Sequence, residues 1–342
     1  MMSTVYGTDQ ENLLEIRNLS IRYRTRRGEL RAVEDATLLV KPGESVAIIG
    51  ESGSGKTTLI SAIVRMLPLN ARLATGTMRY RTAADSLVHL DTATEREMRP
   101  LRWKEIVMVF QASQSSFNPV SRIYTQFLDT ARAHNPAART SDVMDRSRKL
   151  LELVALDGEK VLHSFPHELS GGMKQRTLIA LGLLLEPRLI ILDEPTTALD
   201  LLTQKKILKI LRSLRDQYRF GMVFVTHDLG IVSRLADRVV VMYAGSIVED
   251  APWEEFYQDP KHPYSQGLIR AVPKLTTAIE KLYSIPGTTP DLVEKIQGCP
   301  FAPRCPFRME ICTRENPPLL PVALGRSAAC HLLKEDSSES TP

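Results

Sequence analysis

The segment Ser45 to Thr57, an apolar run Val46-Ala47-Ile48-Ile49 leading into Gly50-Glu51-Ser52-Gly53-Ser54-Gly55-Lys56-Thr57, constrains this 342-residue chain more than any other. The run reads as a buried parallel strand feeding a glycine-rich loop, with a helix opening at Lys56 and Thr57 and continuing through Thr58. Glycines at 50, 53 and 55 allow backbone N–H groups to approach phosphate oxygens with no Cβ in the way, and Ser52 and Ser54 add small polar groups. Lys56 supplies a point charge for β- and γ-phosphates, Thr57 a hydroxyl for Mg²⁺, and the helix start its positive dipole end. A strand–turn–helix without a ligand would also use glycines, but it offers no packing reason for Lys-Thr at this offset.

A second apolar run, Leu189-Ile190-Ile191-Leu192, ends in Asp193-Glu194. In an open α/β sheet the ligand crevice lies at the carboxyl ends of the strands, so these carboxylates are expected beside the loop. Asp193 is expected to hold Mg²⁺ through its water shell, and Glu194 to orient and polarise the water that attacks the γ-phosphate. An acidic helix N-terminus after a strand is the plainer alternative. Further along, Ser170 and the N–H groups of Gly171 and Gly172 open a helix expected to run through Leu178 to Leu185, with an anion site at its N-terminus.

The stretch Leu169-Ser170-Gly171-Gly172-Met173-Lys174-Gln175-Arg176 resembles the signature of ABC-transporter nucleotide-binding subunits. Other positions match that family in order. Tyr23 stands where the family stacks an aromatic on adenine, Gln111 in its Q-loop, Asp200 in its D-loop and His227 in its switch. The resemblance implies ATP and Mg²⁺ as ligands and catalytic roles for Glu194, His227 and Gln111. It implies Mg²⁺ contacts from Thr57, Gln111 and Asp193, and nucleotide contacts from the loop, Ser170, Gly171, Gly172, Gln175 and Asp200. In the family the signature caps ATP on the opposite subunit. Taken alone, Tyr23 could be a sheet-face residue, His227 a satisfied strand-end histidine and Gln111 a solvated strand end.

The implied fold is an α/β P-loop NTPase (ABC ATPase) with an antiparallel β subdomain, a helical signature subdomain and a Cys-containing C-terminal extension. Strands are expected over Leu14 to Tyr23 and Leu30 to Val40, a hairpin-rich segment over Thr75 to Leu90, and a helical pattern from about Thr94 to Glu186. Val143 to Val154 is the clearest amphipathic run. Gln204 to Leu214 reads as a further helix, and Val239 to Val248 as strand–turn–strand. The nucleotide-binding domain is expected over 1–252, with its helical subdomain at about 94–186, and the extension over 253–342.

At 43% apolar the chain can bury a full core, and a net charge of +4 is too small and dispersed to indicate nucleic acid. Arg22, Arg24, Arg26 and Arg27 form a local basic strip that reads equally well as a solvated hairpin arm. No apolar stretch reaches membrane-spanning length, because Glu186-Pro187-Arg188 interrupts the longest one, and Met1 to Asn18 lacks an apolar signal core. The expected location is therefore the cytoplasmic face of the inner (plasma) membrane, reached as a peripheral subunit.

Pro260 to Leu268 and Ile285 to Leu292 resemble the C-terminal segments of the oligopeptide/dipeptide/nickel importer branch. All four cysteines follow, Cys299, Cys305, Cys312 and Cys330, at C-x5-C-x6-C-x17-C. Four thiolates could ligate a 4Fe-4S cluster; Zn²⁺ also takes four, but usually at C-x2-4-C spacing, and disulfides are disfavoured in a cytoplasmic setting. The branch implies the 4Fe-4S cluster, with a structural role: a staple for a proline-rich tail packed separately from the ATP-binding domain.

The resulting expectation is an ATPase subunit of an ABC importer of oligopeptides or dipeptides. Oligosaccharides, nickel or another small solute are alternative cargoes for the same motor. Its partners would be a second ATPase chain in a heterodimer, two transmembrane permease subunits and an extracytoplasmic solute-binding protein, with no nucleic acid. A soluble non-transport ABC ATPase would need a second motor or a long coiled-coil insertion. An iron–sulfur redox protein would need an electron route. The sequence has neither.

Overall fold

Two sheets form around the strand that precedes the glycine-rich loop. The computed structural model describes residues 12–110, 116–196, 200–272 and 284–335. The chain opens with β1 (Leu14–Thr25) and β2 (Gly28–Val40), then β3 (Ser45–Ile49), helix α1 (Lys56–Ile63), β4 (Ala71–Arg81) and β5 (Leu87–His89). Strands β1, β2, β4 and β5 make an antiparallel sheet of order β2-β1-β4-β5. The chain continues through α2 (Glu95–Met98), β6 (Ile106–Val109), α3 (Ile123–His134), α4 (Thr140–Leu153), α5 (Gly158–His163) and α6 (Gly171–Gly182). Next come β7 (Leu189–Asp193), α7 (Leu201–Tyr218), β8 (Gly221–Val225), α8 (Leu229–Leu235), β9 (Arg238–Tyr243) and β10 (Ser246–Pro252). The tail supplies α9 (Trp253–Gln258), α10 (Pro263–Arg270), β11 (Leu320–Ala323), β12 (Arg326–Ala328) and α11 (Leu332–Glu335).

Strands β3, β7 and β8 are buried at every residue, as expected of parallel strands covered on both faces. They pair in parallel, with Ile48 and Asp193 both in register with Val225. That register brings three strand ends to one edge, so the loop after Ile49, the acids after Leu192 and the histidine after Val225 meet by topology. Arg238 joins the two sheets: its guanidinium donates to both Asp250 oxygens at 2.7 Å, to Glu44 at 2.7 Å and to the Leu39 carbonyl of β2.

The stretch 94–186 differs from its helical reading. It contains β6, which pairs in parallel with β7 at the edge of the large sheet. Four apolar residues are too few to separate a buried strand from a helix turn by periodicity, and the pairing decided it. The helices α3 to α6 do form, and α4 buries Val143, Ser147, Leu150 and Leu151 along one face. Helix α6 ends at Gly182, short of Leu185.

The tail is not packed separately. Strand β12 pairs with β10, Glu249 opposite Ala328, so the large sheet runs β11-β12-β10-β9-β3-β8-β7-β6. Tyr264 and Phe301 share a buried cluster with Tyr243 of β9, with ring centroids 4.7 to 5.4 Å apart. Proline content suggested that the tail lacks a core; instead it extends the core of the rest.

His262 starts α10 from a fully buried position. Its backbone N–H donates to Glu249 at 2.8 Å, and its ring Nδ1 accepts from the Tyr264 N–H at 3.0 Å. Burial pushes its pKa down to about 3, from an ordinary 6.5. Unfolded chains therefore bind a proton below pH 6.5 that the folded chain refuses, and stability falls as pH drops through that window, by up to about 1.4 kcal/mol per unit. Glu249, whose pKa burial raises, works in the opposite sense, so the effect is read as a difference. Wild type should lose more stability than His262→Gln between pH 6.5 and 4 in denaturant titrations; parallel pH profiles would count against a neutral buried imidazole.

Candidate functional site

The strand ends open onto a cleft of about 580 Å³ whose lining includes Gly50, Lys56, Thr57, Glu194 and His227, together with Tyr23 and Leu30. The loop that floors it passes between two backbones. A Cβ on Gly50 would lie 2.1 Å from the Met242 carbonyl oxygen, and one on Gly55 would lie 2.2 Å from that of Ala32. Both glycines also have positive φ, 147° and 98°. Because Gly55 precedes α1 and offers no side-chain cap, the first-turn N–H groups lack a protein acceptor from that position.

Lys56 is buried, and its ammonium donates to the Gly50 and Glu51 carbonyls at 2.8 Å each and to Ser54 Oγ at 3.3 Å. Burial pulls its pKa down, while Glu194, Asp193 and Glu51 act to raise it. Thr57 donates its hydroxyl to Asp193 Oδ1 at 3.2 Å, and burial raises the Asp193 pKa against that bond. Glu194 has a left-handed φ of 48° and donates its N–H to Val225 O at 3.0 Å. Such a backbone costs about 1 kcal/mol or more in a non-glycine residue, and here it accompanies a side chain held 3.3 Å from His227 Nδ1. The structure thus gathers Gly50 to Thr58, Asp193, Glu194 and His227 into one place. Tyr23 joins them through its hydroxyl, 3.2 Å from Thr58 Oγ1.

Other predicted positions lie elsewhere. Ser170 caps α6 by accepting from the Met173 N–H at 3.3 Å, and Asp200 caps α7 by accepting from the Leu202 and Thr203 N–H groups at 3.0 Å; the Thr203 hydroxyl first, and these N–H groups with it, hold its pKa low. Gly172 packs against Thr203 of α7, where a Cβ would come within 2.7 Å of its methyl. Gln175 is buried in α6 at 5% exposure. Gln111 lies outside the described residues.

The loop also contacts tail residues that sequence reasoning missed. Arg304 forks onto Glu51 at 2.7 and 3.0 Å, donates to the carbonyls of Pro286 and Ile285, and sits over the rings of Tyr243 and Phe301. The Glu51 N–H donates to the Tyr264 hydroxyl at 2.8 Å. No spacing or motif announces a contact between residues 51 and 304; a lone arginine among prolines carries no such signal.

The four cysteines are free thiols, Cys312 buried and the other three half-buried. The Cys299 N–H donates to Cys312 O at 2.8 Å, and the preceding Gly298 permits that approach, since a Cβ there would lie 2.4 Å from the same oxygen. Burial raises the pKa of Cys299, Cys305 and Cys330, and their thiols interact electrostatically with each other and with Cys312. Among the described residues, however, no three His, Cys, Asp or Glu side chains are arranged to hold a metal ion. The expected cluster ligation therefore has no ready-made cage among the described residues.

Arg304 is 5% exposed in its side chain and Glu51 30%, so the pair is largely desolvated. Arg304→Met keeps much of the stem but strands the carboxylate. It should cost about 2–4 kcal/mol and make the tail more susceptible to proteolysis. An unchanged melting temperature would show that the pair contributes nothing.

Residues 33–197 match the ABC transporter family model, and residues 248–312 match the oligopeptide/dipeptide transporter C-terminal region. The chain is 40% identical to the dipeptide transport ATP-binding protein DppD of Caldanaerobacter subterraneus, over 94% of this chain and 98% of that protein. It is 38% identical to the oligopeptide transport ATP-binding protein OppD of Salmonella typhimurium, over 93% of each. Among solved structures it resembles a dimeric bacterial ABC transporter cassette, with TM-score 0.62 and 25% identity over 70% of this chain and 98% of that one. A Clostridium perfringens subunit of an ABC transporter complex is similar at TM-score 0.61 and 25% identity, over 73% of this chain and 92% of that one. Among the described residues no helix is long and apolar enough to cross a membrane. The chain belongs to the ATP-binding subunits of ABC transporters, an ATPase family that uses ATP with Mg²⁺, in the branch bearing the oligopeptide/dipeptide transporter C-terminal region.

Proposed function

We propose that this chain powers the import of oligopeptides or dipeptides by hydrolysing ATP on the cytoplasmic face of the inner membrane. The observation that carries the reading is the convergence of the uncapped α1 N-terminus with Asp193, Glu194 and His227, in a chain whose relatives are named for dipeptide and oligopeptide transport. Its partners in this reading are a second, different ATPase chain, two permease subunits and a solute-binding protein. The ATP-binding unit spans 1–252, with helices of 94–186 carrying the signature, and 253–342 form the extension.

In the cleft, Lys56 exchanges its carbonyl partners for phosphate oxygens, and the first-turn N–H groups of α1 donate to the same oxygens. Bound Mg²⁺ neutralises charge that develops on the phosphates. Thr57 and Asp193, hydrogen-bonded to each other, would hold that ion together with Gln111. Glu194 polarises the attacking water, His227 fixes the carboxylate, and Tyr23 stacks on adenine. Ser170, Gly171 and Gly172 face ATP held by the opposite subunit. Closure and reopening of the two subunits then drive the permeases between access states.

In this reading the four cysteines would supply the ligands of a 4Fe-4S cluster, which they do not cage beforehand. Supporting this are their mutual proximity and the backbone N–H groups aimed at sulfur, from Phe301 and Ala302 to Cys299, Phe307 to Cys305 and Leu332 to Cys330. Deprotonation on binding would replace the raised thiol pKa values, and the cluster would fix the tail loops as a structural unit.

Glu194→Gln should keep ATP affinity but lower turnover by two to three orders of magnitude, about 3–4 kcal/mol in barrier, and abolish uptake of labelled peptides in cells. Near-normal turnover in the assembled transporter would remove Glu194 from the role. Protein isolated without oxygen should contain iron and sulfide with broad visible absorption, lost in Cys312→Ser. Stoichiometric zinc without iron would overturn the cluster.

A further inference from the structure

The wall of the ATP cleft includes four tail residues that no motif assigns: Thr289, Pro290, Asp291 and Leu292. They are held there from both sides. Downstream, the Leu292 carbonyl accepts from the Arg31 N–H of β2 at 2.9 Å, Asp291 pairs with Arg27 in the β1–β2 turn, and Val293 packs against Gly28, where a Cβ would come within 3.3 Å. Upstream, Arg304 holds the carbonyls of Ile285 and Pro286 while gripping Glu51 of the phosphate loop. Because β2 is an edge strand of its sheet, its free N–H groups are available to a passing segment, and the tail uses one.

The position fixes the chemistry. Leu292 bonds to Arg31, between Leu30 and Ala32, and Leu30 is the cross-strand partner of Tyr23. All of these except Arg31 line the cleft, so the tail segment stands at the Tyr23 end and adds two half-buried apolar side chains, Pro290 and Leu292, with a hydroxyl and a carboxylate nearby. Apolar faces with a few polar groups at the edge suit a nucleoside rather than a phosphate, and the Asp291 carboxylate is already paired with Arg27. We infer that Thr289–Leu292 forms, with Tyr23 and Leu30, the nucleoside-binding wall of the ATP site, so that the C-terminal extension contributes directly to nucleotide affinity. The inference rests on the cleft being the ATP site, and adds the tail as a specificity-determining part of it.

Binding of Mg-ATP and of Mg-tripolyphosphate, which lacks the nucleoside, separates the two claims when measured by calorimetry on the full chain. Leu292→Ala and Pro290→Gly should each weaken Mg-ATP about 5- to 10-fold and leave Mg-tripolyphosphate unchanged. Retained tripolyphosphate binding also reports that the phosphate loop is still folded. Lys56→Ala should weaken both ligands; if it weakens neither, the ATP-site assignment itself fails. Unchanged or tighter Mg-ATP binding in both tail variants would overturn the nucleoside wall, tighter binding marking the segment as an obstruction. Equal loss of both ligands would overturn it in favour of a loop-supporting role.

Discussion

The glycine-rich loop exists in its observed shape because two carbonyl groups press on it from opposite sheets. Met242 O of β9 meets Gly50, and Ala32 O of β2 meets Gly55, at separations that leave no room for a Cβ. Positive φ at both residues turns the loop so that Lys56 folds back on its own carbonyls and α1 starts without a side-chain cap. Every other part of the site is placed relative to this loop. The parallel register of β3, β7 and β8 brings Asp193, Glu194 and His227 to it, and Arg238 ties the large sheet to β2 through the Leu39 carbonyl. Energetic cost is tolerated locally, as the left-handed Glu194 shows, because a buried strand edge on each side over-determines the backbone.

The same loop is where the C-terminal extension makes contact. Glu51, inside the phosphate-loop motif, is gripped by Arg304, one residue before Cys305, and its N–H is taken by Tyr264. A guanidinium that spans a carboxylate, two backbone carbonyls and two aromatic rings is over-committed, so changes in the tail and changes in the loop are mechanically shared. In a chain whose extension completes the large sheet through β12, the ATP-binding part and the cysteine-bearing part are one packed body. Because Arg304 directly precedes Cys305, the cysteine-bearing loops and the glycine-rich loop are joined through one side chain.

Much of this was legible in advance where local rules and geometry agree. The apolar run of β3 followed by glycines and Lys-Thr admits few conformations, and Leu189 to Glu194 reads as a buried strand with acids at its end; both stand as expected. The amphipathic spacing of Val143, Leu150 and Leu151 likewise gave α4 its buried face. Reading failed where the deciding partner is distant in the chain. Strand β6 was lost within a helical stretch, and nothing local announced the packing of Gly172 against Thr203 or the pairing of β12 with β10.

By itself, then, the sequence determined the chemical inventory and the local backbone: a phosphate loop, an acidic pair, a histidine and four cysteines, each tied to short-range pattern. Only the tertiary structure decided which of them meet. The tail closes on the cleft because β2 leaves an edge N–H at Arg31 for Leu292 and because Arg304 finds Glu51. Both contacts join residues more than two hundred and fifty positions apart, beyond the reach of periodicity or spacing, and depend on the free energy of burying a shared core.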